Sequence, residues 1–84
     1  MIITMMNTFN ISINTIDKVK RFVNLTNRCE ADVDIISGRL LVDAKSIMGI
    51  FSMDLTRPMT LRVHESNIEK LEEYKKLFEE FIIE

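Results

Sequence analysis

The residues of this chain able to do chemistry are few and mostly isolated from one another. There is one histidine, His64, and one cysteine, Cys29. A Cys/His metal centre needs three or four ligands and a disulfide needs two thiols, so neither is expected. Any scheme that requires two histidines is excluded as well. His64 has Glu65 beside it and nothing nearby that resembles a phosphate cradle, so it reads as a surface or strand-end histidine. Cys29 has no evident His or Cys partner to activate it, and a buried or idle thiol is the expectation. Asp32 and Asp34 lie two apart, which puts both carboxylates on one face of a strand. A solvated sheet face accounts for them, and no acid/base role has support. No enzymatic activity, metal or cofactor is expected.

The elements around these residues follow from hydrophobic spacing. Over Thr8 to Ile13, Phe9, Ile11 and Ile13 alternate with polar residues, the period of a half-buried strand. Asn14 or Thr15 then caps a helix whose apolar face is Ile16, Val19, Phe22, Val23 and Thr26, with Asp17 in its first turn. This helix is expected to fray over Asn24 to Asn27. Ala31 to Ile36 alternates again, Ser37-Gly38 signals a hairpin, and Arg39 to Val42 is the return strand. Asp43 to Met53 suits two helical turns, Asp54 to Pro58 a turn, and Met59 to Val63 a fourth strand. Ser66-Asn-Ile-Glu69 reads as a capping box. The helix behind it carries an apolar stripe of Ile68, Leu71, Tyr74, Phe78, Phe81 and Ile82.

The predicted order is β-α-β-β-α-β-α. It implies an α+β open-faced sandwich, a four-stranded, mainly antiparallel sheet with helices on one face. Asn10, Ser12, Asp32, Asp34, Thr60 and Arg62 would leave the other face solvated. The 84 residues make one domain, 1–84, with 46% hydrophobic and 29% charged residues, a globular balance. A net charge of −2 argues against direct nucleic-acid binding. No apolar run approaches the roughly 20 residues of a membrane span. The start, Met1 to Met6, lacks the basic flank of a signal peptide. With a single cysteine, a cytoplasmic setting is the expectation.

At Val42 to Leu55 the chain reads Val-Asp-Ala-Lys-Ser-Ile-Met-Gly-Ile-Phe-Ser-Met-Asp-Leu. This stretch resembles the regulatory segment of HPr, the phosphocarrier of the bacterial phosphoenolpyruvate:sugar phosphotransferase system. Lys45-Ser-Ile-Met-Gly49 is its specific part, and length, element order and closing helix agree over nearly the whole chain. In that family a histidine in a Gly-x-His-x-Arg-Pro stretch, between the first strand and first helix, accepts a phosphoryl group. The corresponding stretch here is Ile13-Asn-Thr-Ile-Asp-Lys-Val19. Aligned on Phe22-Val23, Thr15 stands at the histidine's place and Asp17 at the arginine's, and the Gly and Pro are absent. Thr15 has no ring nitrogen, and Asp17 repels a phosphate where the family attracts one. The chain thus resembles the histidine-less, catabolite-repression HPr-like branch, which is regulatory.

The resemblance implies that Ser46 is the regulatory phosphorylation site, used by an HPr kinase. Placement near a helix start is compatible with that, because free N–H groups and the positive dipole end face the phosphate there. Lys45 can add a favourable charge and Asp43 opposes slightly; a plain helix cap is the other reading of this serine. Ile47, Met48 and Phe51 are implied as a partner-binding patch, with Met48 and Phe51 exposed and Ile50 and Met53 in the core. Gly49 either relieves crowding or permits close approach by a partner. The expected partners are a regulatory protein or a phosphotransferase-system component. Two rival functions stay open: a phosphocarrier that uses His64, and a structural adaptor. The adaptor would homodimerise through a Met-rich surface or through its apolar first eight residues, which would pair with or exchange onto a neighbour's edge.

Overall fold

In a computed structural model that describes residues 7–83, the alternating segments become strands and the segments with helical period become helices. The order is β1 (Thr8–Ile11), α1 (Ile16–Thr26), β2 (Val33–Ser37), β3 (Leu40–Asp43), α2 (Ile47–Phe51), β4 (Met59–Val63) and α3 (Ile68–Leu77). The strands form one antiparallel sheet in the order β1-β4-β2-β3. This is the α+β architecture expected, with the sequence-adjacent β2 and β3 joined as a hairpin.

Strand alternation gives the sheet two unlike faces. Ile11, Val33, Ile35, Met59, Leu61 and Val63 point inward and are buried against Val19, Phe22, Ile50, Leu71, Phe78 and Phe81 of the helical layer. Phe22 sits at the centre of an aromatic trio. Its ring centroid is 5.5 Å from Phe78 in a tilted pair and 5.4 Å from Phe81 edge-on, separations that favour the ring quadrupoles. On the open face the register aligns Thr8, Arg62, Asp34 and Asp43 in one row and Asn10, Thr60, Ile36 and Leu41 in the next. That face is polar as expected except at Ile36 of β2 and Leu41 of β3, the latter 55% exposed.

Several boundaries differ from expectation, each for a tertiary reason. β1 ends at Ile11, two residues early, although Ile13 is still fully buried. α1 does not fray at Asn24 but runs through Thr26. The Thr26 hydroxyl lies close to two carbonyls, Val23 (3.1 Å) and Ala44 (2.8 Å), and Asn27 Nδ2 donates to Val23 and Lys45 carbonyls. These bonds hold the last turn. Ile16, assigned to the apolar face, is 62% exposed. The cap of α3 is Asn67, not Ser66: Lys70 N–H donates to Asn67 Oδ1 at 3.1 Å, while Asn67 N–H donates to Glu65. Ile68 consequently falls in the first turn and is exposed.

α3 also stops at Leu77 instead of carrying Phe78, Phe81 and Ile82 as one stripe. A short 3-10 turn, Glu79–Phe81, follows. The tail then binds the end of β1: Ser12 N–H donates to the Phe81 carbonyl, Ile83 N–H donates to Asn10, and Ile82 bridges Ile11. Ending the helix at Leu77 lets the tail run along β1 while Phe78 and Phe81 both stay buried. No helix among the described residues is long and apolar enough to cross a membrane. Of the first eight residues, which the adaptor reading would pair with or exchange onto a neighbour's edge, residues 1–6 lie outside the described residues.

Candidate functional site

Ser46 caps α2. Its Oγ accepts the Gly49 N–H at 3.1 Å, satisfying one of the free amides that open a helix. Residues on both sides fix this position. Asp43 Oδ1 accepts Lys45 N–H at 2.9 Å, and Ser46 N–H donates to the Asp43 carbonyl, so β3 turns sharply into the helix. Thr26 and Asn27, at the far end of α1, hold the carbonyls of Ala44 and Lys45. The Lys45 ammonium is bonded elsewhere than to Ser46: Nζ donates to the Cys29 carbonyl at 2.9 Å.

Gly49 has a reason within the chain. A β-carbon there would lie 3.3 Å from Val42 Cβ and 3.4 Å from Ser46 Oγ. The glycine therefore lets α2 sit close against β3 and leaves the cap undisturbed.

α2 and the turn behind it divide their side chains cleanly. Ile50 is fully buried and Met53 is 7% exposed, both as core residues. Ile47, Met48 and Phe51 are 36%, 77% and 43% exposed, an apolar cluster beside Ser46.

Thr15 and Asp17 are elsewhere. Thr15 caps α1, accepting Lys18 N–H at 3.1 Å, and Asp17 lies in the first turn. Ser46 is anchored to the opposite end of this 11-residue helix, whose length is about 16 Å. No imidazole stands near Thr15, because the one histidine is on the open face of the sheet. There His64 Nε2 contacts Asp34 Oδ2, and Arg62 Nη2 approaches the same oxygen at 3.4 Å. Asp34 is thus occupied by two basic side chains, while Asp32 is exposed and offers its carbonyl to His64 N–H. Among the described residues no group of three or more His, Cys, Asp or Glu side chains forms a metal-binding cluster.

Cys29 is buried. Burial pushes its thiol pKa up, with Lys45 and Arg28 acting weakly in the other direction. The thiol is therefore held in its unreactive form. The anchoring roles of Thr26 and Asn27 were not legible beforehand, since two polar residues at a helix end read equally well as fraying. Their only signal is that Thr26 falls on the apolar face of α1.

No protein-family model and no curated protein matches the chain. Solved structures do. HPr-C-His from Thermoanaerobacter tengcongensis superposes with a TM-score of 0.68 at 20% identity, covering 87% of this chain and 90% of that one. The phosphocarrier protein HPr from Bacillus anthracis str. Ames superposes with a TM-score of 0.60 at 28% identity, covering 80% and 88% respectively. The chain has the HPr-like fold.

Proposed function

We propose that this chain is a regulatory interaction protein related to the bacterial sugar phosphotransferase system, without a phosphohistidine and switched by phosphorylation of Ser46. One observation carries the reading. α1 opens on Thr15 and Asp17, with neither an imidazole nor a guanidinium at its start, while the single histidine is committed to Asp34 on the open face. The helix start that would hold a phosphoryl group therefore carries a hydroxyl and a negative charge. The fold shared with the two HPr structures supports the phosphotransferase-system link.

Ser46 supplies the switch. Its hydroxyl lies where a phosphate would meet the first amides of α2. Phosphorylation adds about −2 charge beside Ile47, Met48 and Phe51. Unmodified, that cluster suits an apolar partner surface. Modified, it suits one that presents Arg or Lys, such as a transcription regulator or a metabolic enzyme. An HPr kinase in the cytoplasm is the matching modifying enzyme.

Incubation with an HPr kinase and ATP, read by intact mass, tests this. Addition of one phosphate to the wild type and none to Ser46→Ala is expected. An unmodified wild type, or a phosphate retained in Ser46→Ala, removes the proposal.

A further inference from the structure

We infer that β3 is a self-association edge, on which a second copy of this chain pairs antiparallel through its own β3 about a twofold axis at Leu41. β3 is the last strand of the sheet, and no strand among the described residues pairs with its outer side. The phase of the ladder shows what that side offers. Ala44 N–H donates to the Val33 carbonyl, so Val33 and Ala44 are a hydrogen-bonded pair. Antiparallel pairs alternate, so Ile35–Val42 and Ser37–Leu40 are hydrogen-bonded too, whereas Ile36–Leu41 and Asp34–Asp43 are not. The amide and carbonyl of Leu41 therefore point away from β2, to the outer side of the sheet.

This edge is complementary to itself. With Leu41 opposite Leu41 of the second copy, each N–H meets the other's carbonyl, and the two central bonds form together. Leu40 then falls opposite Val42, and Arg39 opposite Asp43. Arg39 and Asp43 are both exposed and opposite in charge, so the twofold creates two matched ion pairs. Leu40 and Leu41, 46% and 55% exposed, are adjacent apolar residues on a four-residue strand, one on each face. Edge strands normally carry charge or bulges at such positions to discourage pairing. Here the charges sit only at the ends, in the order that favours antiparallel self-pairing and opposes a parallel one. Gly38, at φ +60°, is the first residue of the two-residue turn that joins β2 to β3.

Sedimentation equilibrium of the full chain, from micromolar to millimolar, tests the inference. A monomer–dimer equilibrium is expected. Leu41→Pro should abolish it while keeping a cooperative melt, because the removed N–H takes no part in the β2–β3 ladder. Should that variant fail to fold, charge reversal decides. Arg39→Asp or Asp43→Arg alone should weaken association about tenfold, and the two together should restore it. Because the double variant also lacks the Asp43–Lys45 contact, restoration reports the pairing between copies. In a Cys29→Ala background, Leu41→Cys should oxidise to a covalent dimer, since Cα atoms of a hydrogen-bonded pair are about 5.5 Å apart. Leu40→Cys, lacking a symmetric partner, should not. A wild type that stays monomeric at millimolar concentration overturns the inference. So does a dimer that Leu41→Pro, or either single charge reversal, leaves intact.

Discussion

Ser46 carries two jobs that a substitution can separate. As a cap it satisfies the Gly49 amide; as a hydroxyl it is the proposed acceptor of phosphate. Ser46→Ala removes both and is expected to cost about 1 kcal/mol, lowering Tm by roughly 4–8 °C for a domain of this size. Ser46→Asp keeps a capping oxygen and should melt within a degree or two of the wild type, yet be unmodified by the kinase. Thermal denaturation of the two variants checks this, and equal destabilisation of both would refute the capping account. Cys29 makes a second prediction at this scale. Burial disfavours the thiolate, so a thiol reagent should modify the folded protein far more slowly than the unfolded chain at the same pH. Equal rates would show that the side chain is not shielded.

At the scale of elements, α2 depends on contacts its five residues do not contain. Isolated helices this short do not form in water; this one is held by its cap, by Thr26 and Asn27, and by the close seat that Gly49 allows on β3. Gly49→Ala gains up to about 1 kcal/mol of helix propensity. The new methyl, however, meets Val42 Cβ, which is fixed to the strand backbone. A net loss of stability is expected in chemical denaturation, and a stabilised Gly49→Ala would contradict the close packing. The turn after α2 is pH-sensitive. The Thr56 hydroxyl and amide both donate to Asp54, holding its carboxyl below the ordinary aspartate range. A depressed folded pKa means that this stabilisation is complete above the ordinary aspartate pKa and is lost as pH falls through the depressed value. In an acid titration by NMR, Asp54 of Thr56→Val should therefore titrate at higher pH than in the wild type.

For the whole molecule, the layered α+β fold was legible because two independent periodicities agreed. Phe9, Ile11, Val33, Ile35, Met59, Leu61 and Val63 alternate on strands, and Val19, Phe22 and Leu71 repeat on helices. The same patterns could not show where elements end. Thr26 extends α1 by bonding a carbonyl 18 positions away, and α3 ends early where the tail turns to bond β1. Long-range contacts of this kind leave no local trace. In the candidate site, Ser46 and the exposed Met48 and Phe51 were legible from a short motif. The turning of Lys45 to Cys29 and the pairing of His64 with Asp34 were not, because each joins distant segments. The exposed Arg21–Glu80 pair ties α1 to the tail at 3.0 Å, but solvent screening leaves such a pair a minor contributor. The aromatic trio and the buried sheet face hold the layers together.

The central proposal is that this chain keeps the HPr-like fold without its histidine-centred carrier chemistry and is regulated at Ser46. Phosphotransfer from phosphoenolpyruvate through Enzyme I, followed by mass and acid-lability analysis of this chain, addresses that proposal most directly. The account predicts no acid-labile phosphate on the wild type under conditions that fully label a histidine-containing HPr. An acid-labile, base-stable phosphate on the wild type that disappears in His64→Ala would contradict it.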